Sequence, residues 1–173
     1  AAQAALGQPS LAMIRPGDAA VDARLAEAGW QVLDPTVALA GPAARLAEDP
    51  PRVTAFEVEW PPLFVQREVW AQAGIGPGRL DVMARAAGPK VSLLGRLDET
   101  PAAAACAACH GALAMVHALE VAPPLRRRGL ARHLMQAAAL WALAHGADTL
   151  AVLVTRANAP ALALYRALGL TEV

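Results

Sequence analysis

The stretch Glu120–Met135 constrains the fold of this chain more than any other part of it. It reads as the end of a buried strand, a Pro-rich bend at Pro123-Pro124, a basic turn around Gly129, and then an amphipathic helix. A strand that runs through a Gly turn into a helix gathers several unpaired backbone N–H groups at one point, with the positive end of the helix dipole behind them. Such a point suits phosphate. Arg126, Arg127 and Arg128 add side-chain charge, and Gly129 lets the backbone approach an anion closely. Taken alone, an R-x-x-G-x-A turn reads equally as an ordinary strand-to-helix connection with solvated arginines.

The 173 residues suit one domain, or one domain and a fragment. The formal net charge of zero gives no global field toward nucleic acid or a membrane surface, so anion selectivity has to be local. The Ala-rich, aromatic-poor composition argues for a packed protein and against disorder. No cationic segment precedes an apolar run at Ala1, so no signal peptide is expected. Pro101–Val121 is long and apolar, but His110-Gly111, His117 and Glu120 interrupt it, and a hairpin of two buried strands fits better than a membrane span. A soluble, cytoplasmic protein is the expectation.

Cys106-Ala-Ala-Cys109-His110 matches the pattern of covalent c-type haem attachment, and its C-x-x-C core matches thioredoxin-like redox sites. Haem attachment needs an oxidising, exported context, and a redox pair gains its thiolate from a helix N-terminus. Here the cysteines sit in an apolar run between two turns, which reads as a strand. A zinc site would need two more ligands at similar spacing, and the sequence offers none. The cysteines are therefore read as small buried hydrophobes, with no metal and no haem expected.

Along the chain, Ser10–Arg15 predicts a strand, and Asp18 starts a helix that Gly29 ends. Trp30–Leu33 and Thr36–Ala40 predict extended segments, and Gly41–Arg52 a linker carrying at most a brief helix. Val53–Trp60 alternates as a strand. Helices are predicted from Pro61-Pro62 to Ala73 and from Pro77 to Ala87, each ended by a glycine. Val91–Leu97, Ala102–Ala108 and Ala112–Val121 form an antiparallel meander. Gly129–His145 is the best helix, Leu150–Thr155 a strand, and Ala159–Leu168 a short helix with Gly169 past its end.

That order, with the R-x-x-G-x-A turn after the fourth strand, resembles the GNAT superfamily of acetyl-CoA-dependent N-acyltransferases. A second segment, Arg156-Ala-Asn158-Ala-Pro160 through Leu164-Tyr165 to Gly169-Leu170, is similar to the superfamily's N-x-x-A-x-x-L-Y-x-x-L-G-F pattern. The resemblance covers about residues 53–173. It implies an α+β sandwich: a mixed, mostly antiparallel central sheet with helices on both faces. It also implies that the fourth and fifth strands splay to admit the pantetheine arm of acetyl-CoA, the cosubstrate.

By the same resemblance, backbone groups of Leu119 and Val121 meet pantetheine and the developing oxyanion. Arg126, Arg127, Arg128, Gly129, Leu130 and Ala131 cradle the pyrophosphate. Asn158 bonds pantetheine or caps the helix that follows. Tyr165, the only tyrosine, falls on the general-acid position that protonates the departing thiolate. For the general base, regular strand alternation puts His117 on a face with Leu119 and Val121, and Glu120 on the other. His117-Ala-Leu119-Glu-Val121 resembles the base-bearing strand of arylalkylamine N-acetyltransferases; His117 directly, or Glu120 through water, is the candidate. Trp60, Trp70, Ile75 and Gly76 are the expected acceptor pocket.

Two departures stand out: Ala131 replaces a glycine of the usual turn, and two strands expected after Leu170 are missing. The opening of the chain, Leu11–Val32, runs parallel to Leu150–Val173 as strand, helix, Gly and strand. Residues 1–42 are thus expected to be a degenerate second GNAT half, 43–52 a linker, and 53–173 the catalytic domain. Strands around Trp30–Ala40 then supplement the catalytic sheet, in this molecule or in a partner. The functional expectation is an N-acetyltransferase acting on a primary amine, either a small molecule or a protein N-terminus, with a homodimer possible and no nucleic-acid or membrane partner. The alternatives are a non-catalytic acyl-CoA sensor and, remotely, a haem protein built on Cys106, Cys109 and His110.

Overall fold

The computed structural model describes Gly7, residues 9–51 and residues 54–173. Contacts divide the chain into two units, one up to Pro35 and one from Thr36 to Val173. In the first, helix α1 (Ala19–Glu27) follows Asp18, and Gly29 takes φ 81° beyond its end. Asp18 Oδ2 accepts from the Arg15 N–H at 3.0 Å and caps nothing within the helix. Ser10–Arg15 and Trp30–Leu33, expected as strands, are in no ladder. Extended backbone becomes a strand only where a neighbour takes up its N–H and C=O groups.

The larger unit is a seven-stranded sheet in the order β2-β3-β4-β5-β6-β1-β7. Its strands are β1 (Thr36–Pro42), β2 (Ala55–Glu59), β3 (Lys90–Leu97), β4 (Thr100–His110), β5 (Leu113–Val121), β6 (Thr149–Thr155) and β7 (Thr171–Glu172). Every neighbouring pair is antiparallel except β5 and β6, which run parallel. The expected meander is β3, β4 and β5. β1 pairs with β6 along its whole length, from Thr36 opposite Thr155 to Pro42 opposite Thr149, and takes β7 on its other edge. The supplementary strand thus comes from the same molecule. It belongs to the larger unit.

Among the described residues of this unit, five α-helices accompany the sheet: α2 (Ala43–Ala47), α3 (Phe64–Gln72), α4 (Pro77–Ala84), α5 (Leu130–Ala144) and α6 (Ala159–Ala167). The stretch read as a linker holds α2, whose Ala43 and Leu46 are buried in the main core; Arg52 and Val53 lie outside the described residues. α3 starts later than Pro61-Pro62 because Leu63 is its cap, with the Leu63 N–H donating to Gln66 Oε1 at 2.9 Å. α4 ends at Ala84, short of the expected Ala87.

The two sheet faces differ. On one, Leu93, Ala103, Ala105, Ala107, Ala114 and Val116 meet Leu134, Met135, Ala138 and Trp141 of α5 in the large core. The alanines of β4 let this helix sit close. At Gly95 a Cβ would stand 2.8 Å from the Ala103 Cβ and 3.6 Å from Leu134. On the other face a smaller cluster holds Val69, Trp70, Met83, Ala104 and Cys106, with Trp60, Ile75, Leu80 and Ala118 against it. β4 is buried on both faces, which is why it reads as an unbroken apolar run.

Candidate active site

The site grows from an irregularity in β5. Cys106 of β4 lies opposite His117, and Ala104 opposite Glu120. Two residues of β5 therefore stand against one of β4, a bulge at Ala118 and Leu119, with Ala118 at φ 49°. The Trp70 indole N–H donates to the Ala118 carbonyl at 2.7 Å and fixes it. The extra residue changes the facing. Ala104 and Cys106 are two apart on one strand and share a face, so their partners Glu120 and His117 share it too. Leu119 and Val121 pack on the opposite, α5 side. The expectation that His117 sides with Leu119 and Val121, away from Glu120, is corrected here.

The parallel ladder between β5 and β6 covers only Leu113–Val116 against Thr149–Val152. Beyond it, His117–Val121 and Leu153–Thr155 have no mutual pairing. β6 is meanwhile paired on its other edge by β1 up to Thr155. The edge of β5 from His117 to Val121 therefore has no ladder partner among the described residues on the β6 side.

Titratable groups gather at that opening. Burial, and then the Arg79 charge, push the His117 imidazole below its usual value. Burial raises Glu120, while Arg126 opposes the rise. Tyr165 on α6 is 7% exposed, and burial and then the Glu120 charge push its phenol up. Its hydroxyl has no hydrogen-bond partner among the described residues. The phenol stays protonated and the imidazole neutral around pH 7.

At the turn, Gly129 is the left-handed N-cap of α5 at φ 88°, and Arg127 stands at φ 65°. Such a turn points successive N–H groups outward together. Arg127 and Arg128 are exposed, whereas Arg126 Nε donates to the Val121 carbonyl at 3.0 Å and ties the turn to the end of β5. Leu130 is buried in the core, so only its amide faces the turn, and Ala131 is half-buried. Asn158 Oδ1 accepts from the Ala161 N–H at 3.2 Å, the capping role. An open strand edge beside a left-handed, arginine-flanked helix start fits the amides and the diphosphate of coenzyme A.

Of the expected acceptor residues, Trp60, Ile75 and Gly76 are partly exposed. Trp70 is fully buried and reaches the site only through Ala118. Cys106 and Cys109, both free and buried, point to opposite faces of β4, where their partners are His117 and Ala114. One haem held by both thiols does not fit that geometry.

The sequence model of the acetyltransferase (GNAT) family matches residues 52–170, and the chain belongs to that family. No curated protein matches the sequence. Among solved structures, the chain is similar to a GCN5-related N-acetyltransferase from Kribbella flavida, with 24% identity and a TM-score of 0.64 over 91% of this chain and 60% of that one. It is similar to the tandem GNAT protein from the clavulanic acid biosynthesis pathway, with 16% identity and a TM-score of 0.68 over 95% of this chain and 57% of that one. It is also similar to the aminoglycoside N-acetyltransferase AAC(6′)-Iy, in complex with CoA, with 21% identity and a TM-score of 0.55 over 68% of this chain and 91% of that one. The chain spans about six tenths of the length of the first two. No helix among the described residues is long and apolar enough to cross a membrane.

Proposed function

We propose that the protein transfers an acetyl group from acetyl-CoA directly to a primary amine. The observation that carries this reading is the end of the β5–β6 ladder at Val116 and Val152, beside the Gly129 turn. Acetyl-CoA supplies an activated acyl thioester; the residues of this chain hold it and move protons around it. Amides of the turn from Arg126 to Ala131, with Arg127 and Arg128, hold the diphosphate. Unpaired amides near Leu119 and Val121 hold the pantetheine arm and stabilise negative charge on the carbonyl oxygen. Tyr165 Oη gives its proton to the leaving sulfur. Its raised pKa keeps that proton in place until it is needed.

His117 takes the proton from the acceptor ammonium, with Glu120 through water as the second candidate. The bulge puts both on the face shared with Trp60 and Ile75, where the acceptor is expected. The lowered imidazole pKa favours the neutral, proton-accepting form. The acceptor is a small-molecule amine or a protein N-terminus. A cytoplasmic setting suits two free cysteines. Residues 1–42 are read as the remnant of a second half, with no tyrosine at the matching position.

Release of free thiol from acetyl-CoA, followed over a panel of primary amines, tests the proposal. Amine-dependent thiol release supports it. Failure of coenzyme A to bind in calorimetry removes it.

A further inference from the structure

The sheet face that carries His117 is covered in part by α4, a helix held along its length. Leu80 and Met83 turn into the smaller cluster with Trp60, Ile75, Ala104, Cys106 and Ala118. At its far end the Lys90 Nζ donates to the Ala84 and Ala86 carbonyls, at 2.6 and 2.9 Å. Cys106 of that cluster stands opposite His117. Arg79 lies four residues before Met83, so the two share one side of the helix, with Arg79 a turn nearer Gly76. Its charge acts at both His117 and Cys106. The guanidinium therefore stands near the candidate base, on the side of Trp60, Ile75 and Gly76.

Packing does not account for this arginine. It is exposed and forms no ion pair with a described residue, whereas Arg96 and Arg156 hold Glu99 and Glu172, each at 2.6 Å. It occupies the first turn of α4, where a cation opposes the helix dipole, and no acidic residue offsets it there. Lys90, the other cation whose charge acts at Cys106, is engaged by its two carbonyls. A planar guanidinium with free donors matches a carboxylate, which it holds through two parallel bonds. The half-buried Trp60, Ile75 and Leu80 offer apolar contact to a carbon skeleton.

We propose that the acceptor is a small primary amine that also carries a carboxylate, held by Arg79 while His117 takes the proton from its ammonium group. The proposal rests on the acetyl-transfer reading above and adds the acceptor class to it. The freed amine nitrogen bonds to the acetyl carbon, the carbon–sulfur bond breaks, and the thiolate is protonated by Tyr165. The carboxylate passes unchanged into an N-acetylated product. A polyamine brings only positive charge to Arg79 and is disfavoured.

Thiol release from acetyl-CoA at about pH 8, where His117 is neutral, tests it. The acceptors are leucine and 4-aminobutyrate, the amide of each, spermidine, and a peptide with an N-terminal aspartate. Arg79→Gln is expected to lower kcat/KM for a carboxylate-bearing acceptor about tenfold or more, mainly through KM, and to leave its amide within about twofold. Arg79→Lys keeps part of the preference, because charge remains without the planar fork. The amide serves as the control for folding. A variant Arg79→Gln with the unaltered acid-to-amide ratio overturns the proposal and leaves acetyl transfer standing. Turnover confined to the peptide, or to amines without a carboxylate, does the same. If no amine releases thiol, both readings fall.

Discussion

The two halves of β5 make opposite use of one strand. Leu113–Val116 is paired on both edges and alternates regularly between the two faces. His117–Val121 carries a bulge, lacks a partner on the β6 side and holds every titratable group of the strand. The first half is specified by packing alone. In the second, the sheet leaves one edge without a ladder partner, and that edge is the one proposed above to meet the acyl carrier. Stability and chemistry are thus separated within nine residues.

The sharpest way to break the comparison lies at the far wall of the open half. Tyr165→Phe is expected to lower turnover by about 10²–10⁴-fold while coenzyme A affinity stays within about threefold. Steady-state rates and calorimetry on one preparation check this, and a variant with normal turnover removes the phenol from the mechanism. Gly129→Ala acts on the anchor beside the opening. At φ 88° an alanine costs about 1–2 kcal/mol, and the turn it distorts binds coenzyme A about tenfold more weakly.

Trp70→Phe removes the donor to the Ala118 carbonyl at the bulge. A stability loss of about 1–3 kcal/mol is expected, read from the denaturant midpoint, together with a fall in turnover. An equal loss of stability with unchanged turnover would make the bulge a packing feature only.

Proton linkage sharpens the contrast further. The folded-state pKa of His117 is lowered from 6.5, so over the window just beneath that value the unfolded chain binds the proton more readily. Stability therefore falls as pH drops from 6.5 toward the folded-state value, and His117→Asn flattens that limb. In kcat/KM the acid limb lies below 6.5 if His117 is the base, and its survival in His117→Asn transfers the role to Glu120. The smallest effect belongs to Cys106, whose thiol burial pushes up to about 11. It should resist a thiol reagent at neutral pH until the protein is unfolded, and Cys106→Ala should leave the absorption spectrum unchanged.

Much of this was legible in the sequence, for identifiable reasons. The helix at Leu130–Ala144 shows because its apolar positions recur at the helical period, and the turn before it because only Gly tolerates φ 88° without strain. β4 shows as an apolar run because both its faces are covered. Three things did not show. The facing of Glu120 follows from one extra residue, and strand alternation counts residues, not ladder positions. Trp70 reads as an acceptor wall, while its burial and its bond to Ala118 are properties of the packed structure. Ser10–Arg15 and Trp30–Leu33 have strand-like composition, but a strand is defined by its ladder, and composition alone does not specify one.

The insertion of β1 between β6 and β7 has a consequence for assembly. Val37 pairs with Val154, and Leu39 with Glu172, more than a hundred residues further along the chain. Contacts so distant along the chain carry a larger loop-closure cost than those of the β2–β5 meander, so β1 is expected to dock after it. Until then the outer edge of β6 is bare, and the β1 of a neighbouring molecule offers it the same seven-residue match. Exchange of that strand between two copies, each completing the other's sheet, is the route by which crowding during synthesis would turn two separate molecules into an interlocked pair.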